Sequence, residues 1–243
     1  MPPHFFEWTR RLAANLPSSC VLCGIAGPDN LCTPCHRRYF SRERPRCSQC
    51  GLPLGDSDPG TGRCGECLQN DRSFDATVVV ADYAAPVDHL VLALKFGSQL
   101  ALAPLFGHLL RDAMLQYRGS ALPDMLIPVP LGAARLAERG FNQAQEIAKA
   151  LARAIAVPLA ADLLERTRDT LTQSTLPLNQ RQGNVRNAFV VTPGGADILC
   201  GKHVAVIDDV MTTGETLNEI AATLKRHGAA CVTNLVFSRT PPK

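Results

Sequence analysis

The chain has 243 residues, of which 46% are hydrophobic, and its formal net charge is +3. This length fits one domain of moderate size plus a small one, and the composition is ordinary for a globular protein. No apolar run reaches the roughly 18 residues of a membrane span, and the first residues lack the pattern of a signal peptide. We therefore expect a cytoplasmic protein with no membrane span, and the charge is too small to identify a partner.

Cysteine spacing dominates the first third of the sequence. Eight of the ten cysteines form four C-x-x-C pairs. Each pair is a knuckle that places two thiolates on one tight turn, and two knuckles complete a tetrahedral zinc site. The predicted ligands of two structural zinc ions are Cys20, Cys23, Cys32, Cys35, Cys47, Cys50, Cys64 and Cys67.

The pairing of the knuckles stays open, because sequential and interleaved arrangements both use all eight cysteines. Disulfides are an alternative that a reducing cytoplasm disfavours. An iron–sulfur cluster is another, since it also takes thiolate ligands. Cys200 and Cys231 stand alone beside apolar runs, so we expect them to be packing residues rather than nucleophiles.

A basic segment between the second and third knuckles also carries the aromatic residues Tyr39 and Phe40. Arginines contact phosphates and aromatic rings stack on bases, so the segment suggests contact with single-stranded DNA. A solvated zinc loop would have the same composition. Its five arginines are Arg37, Arg38, Arg42, Arg44 and Arg46.

A loop rich in Gly, Pro, Asp and Ser precedes an expected domain boundary near residues 68–73. Residues 1–70 would form a double zinc-ribbon module and residues 71–243 a second domain. Apolar runs in this domain predict strands at 74–83, 125–130, 204–207 and 231–237. Helical spacing predicts helices at 87–96, at 104–115 and from an Asn142 cap to about residue 155. This alternation predicts an α/β fold with a mostly parallel sheet.

Between these elements lie two polar stretches with candidate arginines. Arg135 and Arg139 precede the Asn-capped helix and suit pyrophosphate oxygens. The stretch from Arg166 to Phe189 has little periodicity, includes Arg181, and has the length of a lid. An ordinary polar surface loop is the alternative for each stretch.

The most informative stretch runs from Val204 to Thr216, where an apolar strand ends in two acids and a Thr/Gly loop leads into a helix. Unpaired N–H groups at a helix start bind phosphate, and Gly214 permits close backbone approach. Carboxylates at an exposed strand end can accept from sugar hydroxyls or hold Mg²⁺. The stretch therefore suits a ribose 5-phosphate. Its candidate binding residues are Asp208, Asp209, Val210, Met211, Thr212, Thr213, Gly214, Glu215 and Thr216.

This stretch resembles the phosphoribosyl pyrophosphate loop of the type I phosphoribosyltransferases. Further motifs extend the resemblance to one branch, the ComF family, which includes the DNA-utilization protein GntX. These motifs are the four knuckles, Leu94-Lys95-Phe96, Arg139-Gly140-Phe141-Asn142-Gln143, and Arg166 with Gln173. The resemblance runs from about Cys20 to Arg239. It implies the type I phosphoribosyltransferase fold, phosphoribosyl pyrophosphate with Mg²⁺ as ligand, and a link to natural competence (DNA uptake and transformation) or DNA utilization.

If the chain is an enzyme, the resemblance implies displacement of pyrophosphate from the ribose by an acceptor that the sequence does not identify. The catalytic candidates are then Asp208, Asp209, Arg139, Arg166 and Arg181. Two alternatives remain open at this point. One is a non-catalytic protein that binds DNA or competence and DNA-processing proteins. The other is a regulator that senses phosphoribosyl pyrophosphate.

Overall fold

The computed structural model describes residues 18–41, 44–55, 60–97, 99–117, 121–167 and 187–241. The chain forms two compact units, Met1–Arg42 and Glu43–Lys243. The division falls between the second and third knuckles. The first two knuckles therefore belong to one unit, and the last two belong to the same unit as the sheet described below.

The described part of the first unit, residues 18–41, contains a short hairpin and one helix. Its elements are β1 (Ser18–Ser19), which pairs antiparallel with β2 (Ala26–Gly27), and α1 (Thr33–Phe40). Pro34 lies at the start of α1, where the missing N–H of proline has no partner to lose. The helix buries Cys35 and Phe40 and leaves Arg37 and Arg38 exposed.

The second unit alternates strands with helices. Its strands are β3 (Ala76–Asp82), β4 (Met125–Pro128), β5 (Leu164–Arg166), β6 (Phe189–Val191), β7 (His203–Met211) and β8 (Cys231–Arg239). Its helices are α2 (Gly65–Gln69), α3 (Val87–Phe96), α4 (Leu102–Gln116), α5 (Ala133–Arg139), α6 (Gln143–Ile155), α7 (Gly195–Leu199) and α8 (Glu215–Arg226).

Four strands form a parallel sheet in the order β3-β8-β7-β4, and β5 and β6 form a separate antiparallel pair. In the parallel sheet Ala76 lies opposite Thr233, and Met125 lies opposite Val204. The prediction of a mostly parallel α/β fold is confirmed. Because the strands run the same way, their carboxyl ends meet at one edge, where ligands of open α/β sheets bind.

Each face of the sheet is covered by helices, as the alternation of side chains along β7 requires. Val204 and Val206 join a buried cluster with α8 that includes Leu217, Ile220 and all four cysteines of the last two knuckles. On the other face α4 packs against α6, and both helices contact the sheet. No helix in the described part of the chain has both the length and the apolar character needed to cross a membrane.

Three local details differ from the sequence predictions. The strand predicted at 204–207 continues through both acids to Met211, because its partner β8 also runs on, to Arg239. Helix α5 is not predicted from sequence, and it carries Arg135 and Arg139. Arg166 is predicted in a polar lid, but it lies in β5. Residues 168–186, with the Arg181 and Gln173 predictions, lie outside the described residues.

Candidate functional site

The cysteines form two four-thiol clusters, and their pairing is sequential. The first four-cysteine site consists of Cys20, Cys23, Cys32 and Cys35, and the second of Cys47, Cys50, Cys64 and Cys67. Within each site the sulfur atoms lie within 4.8 Å of one another, and all eight thiols are free. Both four-cysteine sites are consistent with a structural zinc ion.

Sulfur spacing and thiol pKa values test this fit. The Sγ atoms of Cys50 and Cys64 are 3.5 Å apart, and two sulfurs on one tetrahedral zinc lie about 3.8 Å apart. A hydrogen bond from Cys50 lowers the pKa of Cys47 to about 4, whereas burial raises the pKa of Cys67 to about 12. Without a cation the thiolate is therefore favoured at Cys47 and the neutral thiol at Cys67. A bound Zn²⁺ would stabilise the thiolate form of its ligands.

The surroundings of the two four-cysteine sites differ. In the first site Cys23 is exposed and Cys32 is half-buried, whereas every cysteine of the second site is buried. Of the remaining cysteines, Cys231 is half-buried, and burial raises its pKa. Cys200 is exposed, which does not fit the expectation that it is a packing residue.

The predicted phosphate loop lies at the carboxyl end of β7, where it surrounds a depression of about 230 Å³ that is open to solvent. Its lining is Asp208, Val210, Met211, Thr212, Gly214, Thr216 and Leu217. Six of these residues are among the sequence-predicted ones, and Leu217 is added by the structure. Thr213 instead accepts a long, 3.5 Å hydrogen bond from the backbone N–H of Glu215.

Gly214 shapes the start of α8. Its φ of +83° lies in the left-handed region, and a Cβ there would sit 2.5 Å from the methyl carbon of Met211. No side chain caps α8 at Gly214. The first turn of this helix therefore lies beside the depression with a partial positive charge, which suits an anion.

The two acids play different parts. Asp208 lines the depression, and its side-chain Oδ1 accepts from the backbone N–H of Asp209 at 2.9 Å. The pKa of Asp208 lies well above its ordinary value, first because the carboxyl is withdrawn from bulk water and then because Asp209 lies beside it. A cation or hydroxyl donor beside this carboxylate would relieve that cost.

Asp209 is buried, with 2% of its surface exposed, which corrects the expectation of an exposed strand end for both acids. Its Oδ2 lies 2.9 Å from Nζ of Lys95 in α3, but no hydrogen bond of good geometry reaches that oxygen from the described residues. Lys95 was missed as a site residue by sequence reasoning. Its place in the Leu94-Lys95-Phe96 motif was the signal that could have identified it.

The candidate arginines do not line the depression in the described part of the chain. The guanidinium of Arg139 lies 4.9 Å over the exposed ring of Phe96 and donates to Gln143 at 3.2 Å. Phe96, which contacts Arg139, is adjacent in α3 to Lys95, which contacts Asp209. The end of α3 therefore connects Arg139 with the acids of β7. Arg135 is half-buried in α5, and Arg166 lies 5.5 Å over the ring of Phe189.

The basic segment is divided between the two units, and the structure uses part of it internally. Phe40 is buried, so it is not available to stack on a base. Arg46 forms an ion pair with Asp82 at 2.8 Å and donates to the Gly51 carbonyl. Exposed arginines remain at Arg37, Arg38 and Arg44, and Arg38 lies 5.4 Å over the ring of Tyr39. Arg42 lies outside the described residues.

Two family models match the chain. A phosphoribosyl transferase domain matches residues 98–241, and a double zinc ribbon domain matches residues 12–68. The first match covers more than half of the chain and agrees with the observed parallel sheet. The second spans both four-cysteine sites.

Curated relatives match over most of the chain. The DNA utilization protein YhgH of Escherichia coli K12 is 36% identical, over 93% of this chain and 98% of its own length. Competence protein F of Haemophilus influenzae is 34% identical, over 82% of this chain and 86% of its own length.

Solved structures give only distant matches. The glutamine phosphoribosylpyrophosphate amidotransferase of B. subtilis is 19% identical, with a TM-score of 0.37. The match covers 56% of this chain, which spans only 26% of that enzyme's length. The fold assignment therefore depends on the family match and on the observed topology.

Proposed function

The chain belongs to the ComF family of competence and DNA-utilization proteins, and from that premise we propose that it binds phosphoribosyl pyrophosphate with Mg²⁺ at the end of β7. The observation that carries this proposal is one depression that combines the start of α8 with the carboxylate of Asp208. The loop from Val210 to Thr216 would hold the 5-phosphate. Asp208 and Asp209 would hold the ribose hydroxyls.

Magnesium fits this donor set, because it prefers carboxylate and phosphate oxygens. Asp208 would hold the ion, because its carboxylate lines the depression and a bound cation would offset the burial that raises its pKa. When bound, the ion would neutralise charge on the pyrophosphate. Lys95 is the counter-ion of Asp209 in the absence of ligand, with 2.9 Å between Nζ and Oδ2.

Transfer, if the chain performs it, breaks the bond between the ribose anomeric carbon and the pyrophosphate oxygen and forms a bond from that carbon to an acceptor. Pyrophosphate leaves with the bonding electrons, and the acceptor loses its proton. Arg139 and Arg135 would stabilise the leaving group, and Arg166 and Arg181 are further candidates for this role. None of these residues needs to form a covalent bond, so catalysis would be positioning and electrostatics.

Calorimetric titration with phosphoribosyl pyrophosphate and Mg²⁺ tests the binding. Asp208→Asn should abolish measurable binding, since it removes a carboxylate from the depression without removing volume. Asp197→Asn, at an exposed position in α7, is the matched control and should bind as the wild type does. Wild-type affinity in Asp208→Asn, or no binding by the wild type, would contradict the proposal.

Pyrophosphate release separates an enzyme from a sensor. The wild type is incubated with the same ligand and a panel of nucleobases and nucleosides. Release that depends on one acceptor supports transfer, and Arg139→Gln should then reduce the rate more than the affinity. Binding without release across the panel supports a phosphoribosyl pyrophosphate-sensing or partner-binding protein.

The competence and DNA-utilization names of the relatives support a second candidate activity, the binding of single-stranded DNA. The exposed Arg37 and Arg38 on α1, with Tyr39 beside them, are the described groups that favour it. Arginines would contact phosphates while the Tyr39 ring stacks on a base. Competence or DNA-processing proteins are the alternative partners of this surface.

A further inference from the structure

The second four-cysteine site is packed against the sheet that carries the phosphate loop. The Cys47/Cys50 knuckle of this site lies along β3, an edge strand of the parallel sheet. The backbone N–H of Thr77 donates to the Ser48 carbonyl at 3.1 Å, and the Thr77 hydroxyl donates to the Gln49 carbonyl at 2.6 Å. Gly51 has a φ of +72°, and a Cβ there would sit 2.4 Å from a methyl of Val79. The knuckle thus covers a strand edge, and Gly51 lies too close to Val79 for a side chain to fit between them.

Arg239, at the end of β8, joins this knuckle to the phosphate loop. It is 5% exposed. Its Nε donates to the Cys50 carbonyl at 3.1 Å, and its Nη1 donates to the carbonyls of Met211 at 3.1 Å and of Thr212. A single buried guanidinium therefore holds a metal-ligand residue and two residues of the loop.

The effect on the loop follows from peptide geometry. In a trans peptide the C=O of one residue and the N–H of the next point in opposite directions. When Arg239 holds the carbonyls of Met211 and Thr212, the N–H groups of Thr212 and Thr213 point away from it. Those N–H groups are thereby fixed in direction before any ligand arrives, which lowers the ordering cost of binding.

Arg72 makes a second connection, at the start of α8. Its Nη1 lies 2.7 Å from Glu215, the first residue of α8, and its Nη2 contacts Glu66 in α2, the helix that carries Cys67. The backbone N–H of the adjacent Ser73 donates to Asn218 of α8 at 2.7 Å. Glu215, a predicted ligand residue, thus has its carboxylate paired with Arg72.

We propose that Arg239 and Arg72 are positioning residues that couple the second four-cysteine site to the phosphate loop, so that metal in this site is a structural requirement of the loop's binding geometry. The coupling rests on the proposed function only where ligand affinity is the readout. The first four-cysteine site belongs to the other compact unit and is the matched control.

Amide hydrogen exchange tests the coupling without any ligand. The full chain, loaded with zinc, is compared with Arg72→Gln, with Arg72→Lys and with Arg239→Lys. Exchange of peptides covering residues 210–216 should be about tenfold faster or more in Arg72→Gln and Arg239→Lys, while peptides from β4 keep their protection. Arg72→Lys retains the charge and should recover most of the protection. Equal exchange in all four proteins would overturn the coupling.

Metal variants supply the second arm. Cys64→Ser in the second four-cysteine site should accelerate exchange of residues 210–216, and Cys32→Ser in the first should leave it unchanged, with zinc content measured in both. If Cys64→Ser fails to fold, the arginine variants still decide whether Arg72 and Arg239 position the loop. Equal loop protection in folded Cys64→Ser and Cys32→Ser proteins would overturn the role of the metal.

Affinity separates this proposal from the proposed function. If the wild type binds phosphoribosyl pyrophosphate with Mg²⁺, Arg72→Gln should bind about tenfold more weakly, and unchanged affinity would overturn the coupling. If the wild type does not bind, the proposed function fails. The exchange comparison still confirms or overturns the coupling.

Discussion

The two four-cysteine sites have the same pattern of paired knuckles but different physical settings. In the first site Cys23 is exposed and Cys32 is half-buried, and the described residues around them form a hairpin and a helix. In the second all four are buried in one cluster with α8 and alternate residues of β7. A zinc knuckle can thus be a self-contained module or a component of a larger core, and the ligand spacing alone does not distinguish the two.

The largest expected effect comes from removing metal from the second site. Structural zinc supplies about 10 kcal/mol or more of folding free energy in small modules, so its loss should lower the Tm of the sheet unit strongly. Chelator titration should release zinc in two steps, with the more exposed first site releasing first. We expect the thermal transition of the sheet to change only in the second step, as followed by circular dichroism with zinc release.

The Cys32→Ser variant shows which site releases zinc in which step. It should abolish the first step of zinc release and leave the second step unchanged. Simultaneous loss of both ions with the sheet transition in the wild type would contradict the separation of the two sites.

The next effect tests the sheet unit alone. Lys95→Met leaves Asp209, which is 2% exposed, without its counter-charge. Breaking a buried pair from one side costs about 3 kcal/mol, so denaturant unfolding of the sheet should shift by that amount. Zinc in the first site should be retained.

Lys149→Met is the matched control, because the Lys149–Glu146 pair on α6 is half-buried and far more exposed than Asp209. Exposed pairs contribute about 0–1 kcal/mol, so this variant should unfold nearly as the wild type does. Equal costs for the two lysines would show that Lys95 is not the counter-ion of a buried acid in solution.

A smaller effect of opposite sign is expected at Asp208. Its pKa is raised in the folded protein, so its ionisation opposes folding, and this cost grows as pH rises toward the folded pKa. Asp208→Asn should therefore raise the Tm by a few degrees at about pH 8, and the gain should shrink as pH falls toward about 5. The same variant should lose ligand binding.

Thermal unfolding across this pH range, with Asp197→Asn beside it, checks the sign. A gain that grows with acidity would mean that the Asp208 carboxylate stabilises the fold rather than opposing it. The expected pairing of higher stability with lost binding is typical of residues kept for function.

Many elements of this fold can be predicted from residues that are close together in the sequence. Asn142 caps α6 as predicted, its Oδ1 accepting from the backbone N–H of Ala144 at 3.0 Å, because an N-cap depends on residues only two or three apart. The C-x-x-C knuckles and the Thr/Gly loop are local in the same sense. The helix at 87–96 is confirmed with the same bounds, since one apolar stripe defines it.

What the sequence did not reveal depends on contacts between distant segments. Lys95 meets Asp209, and Arg239 meets Cys50, only after the strands have assembled. The extension of β7 through its acids depends on β8, which supplies partners as far as Arg239. The burial of Asp209 follows from that extension, so the local motif does not reveal that this acid is withdrawn from solvent.

The smallest expected effect concerns the first unit, where α1 presents Arg37 and Arg38 to solvent. We expect weak binding of an oligo-dT strand, steeply reduced by salt because phosphate contacts release counterions. Each lost contact should flatten the slope of log K against log salt by about 0.7, so changing Arg37 and Arg38 to Glu should flatten it by about 1.4. Fluorescence anisotropy across a salt series measures this slope.

Arg153→Glu, at an exposed position in the other unit, is the control that should leave the slope nearly unchanged. An unchanged slope in the double variant would move the DNA contact elsewhere and leave α1 as a surface for a protein partner.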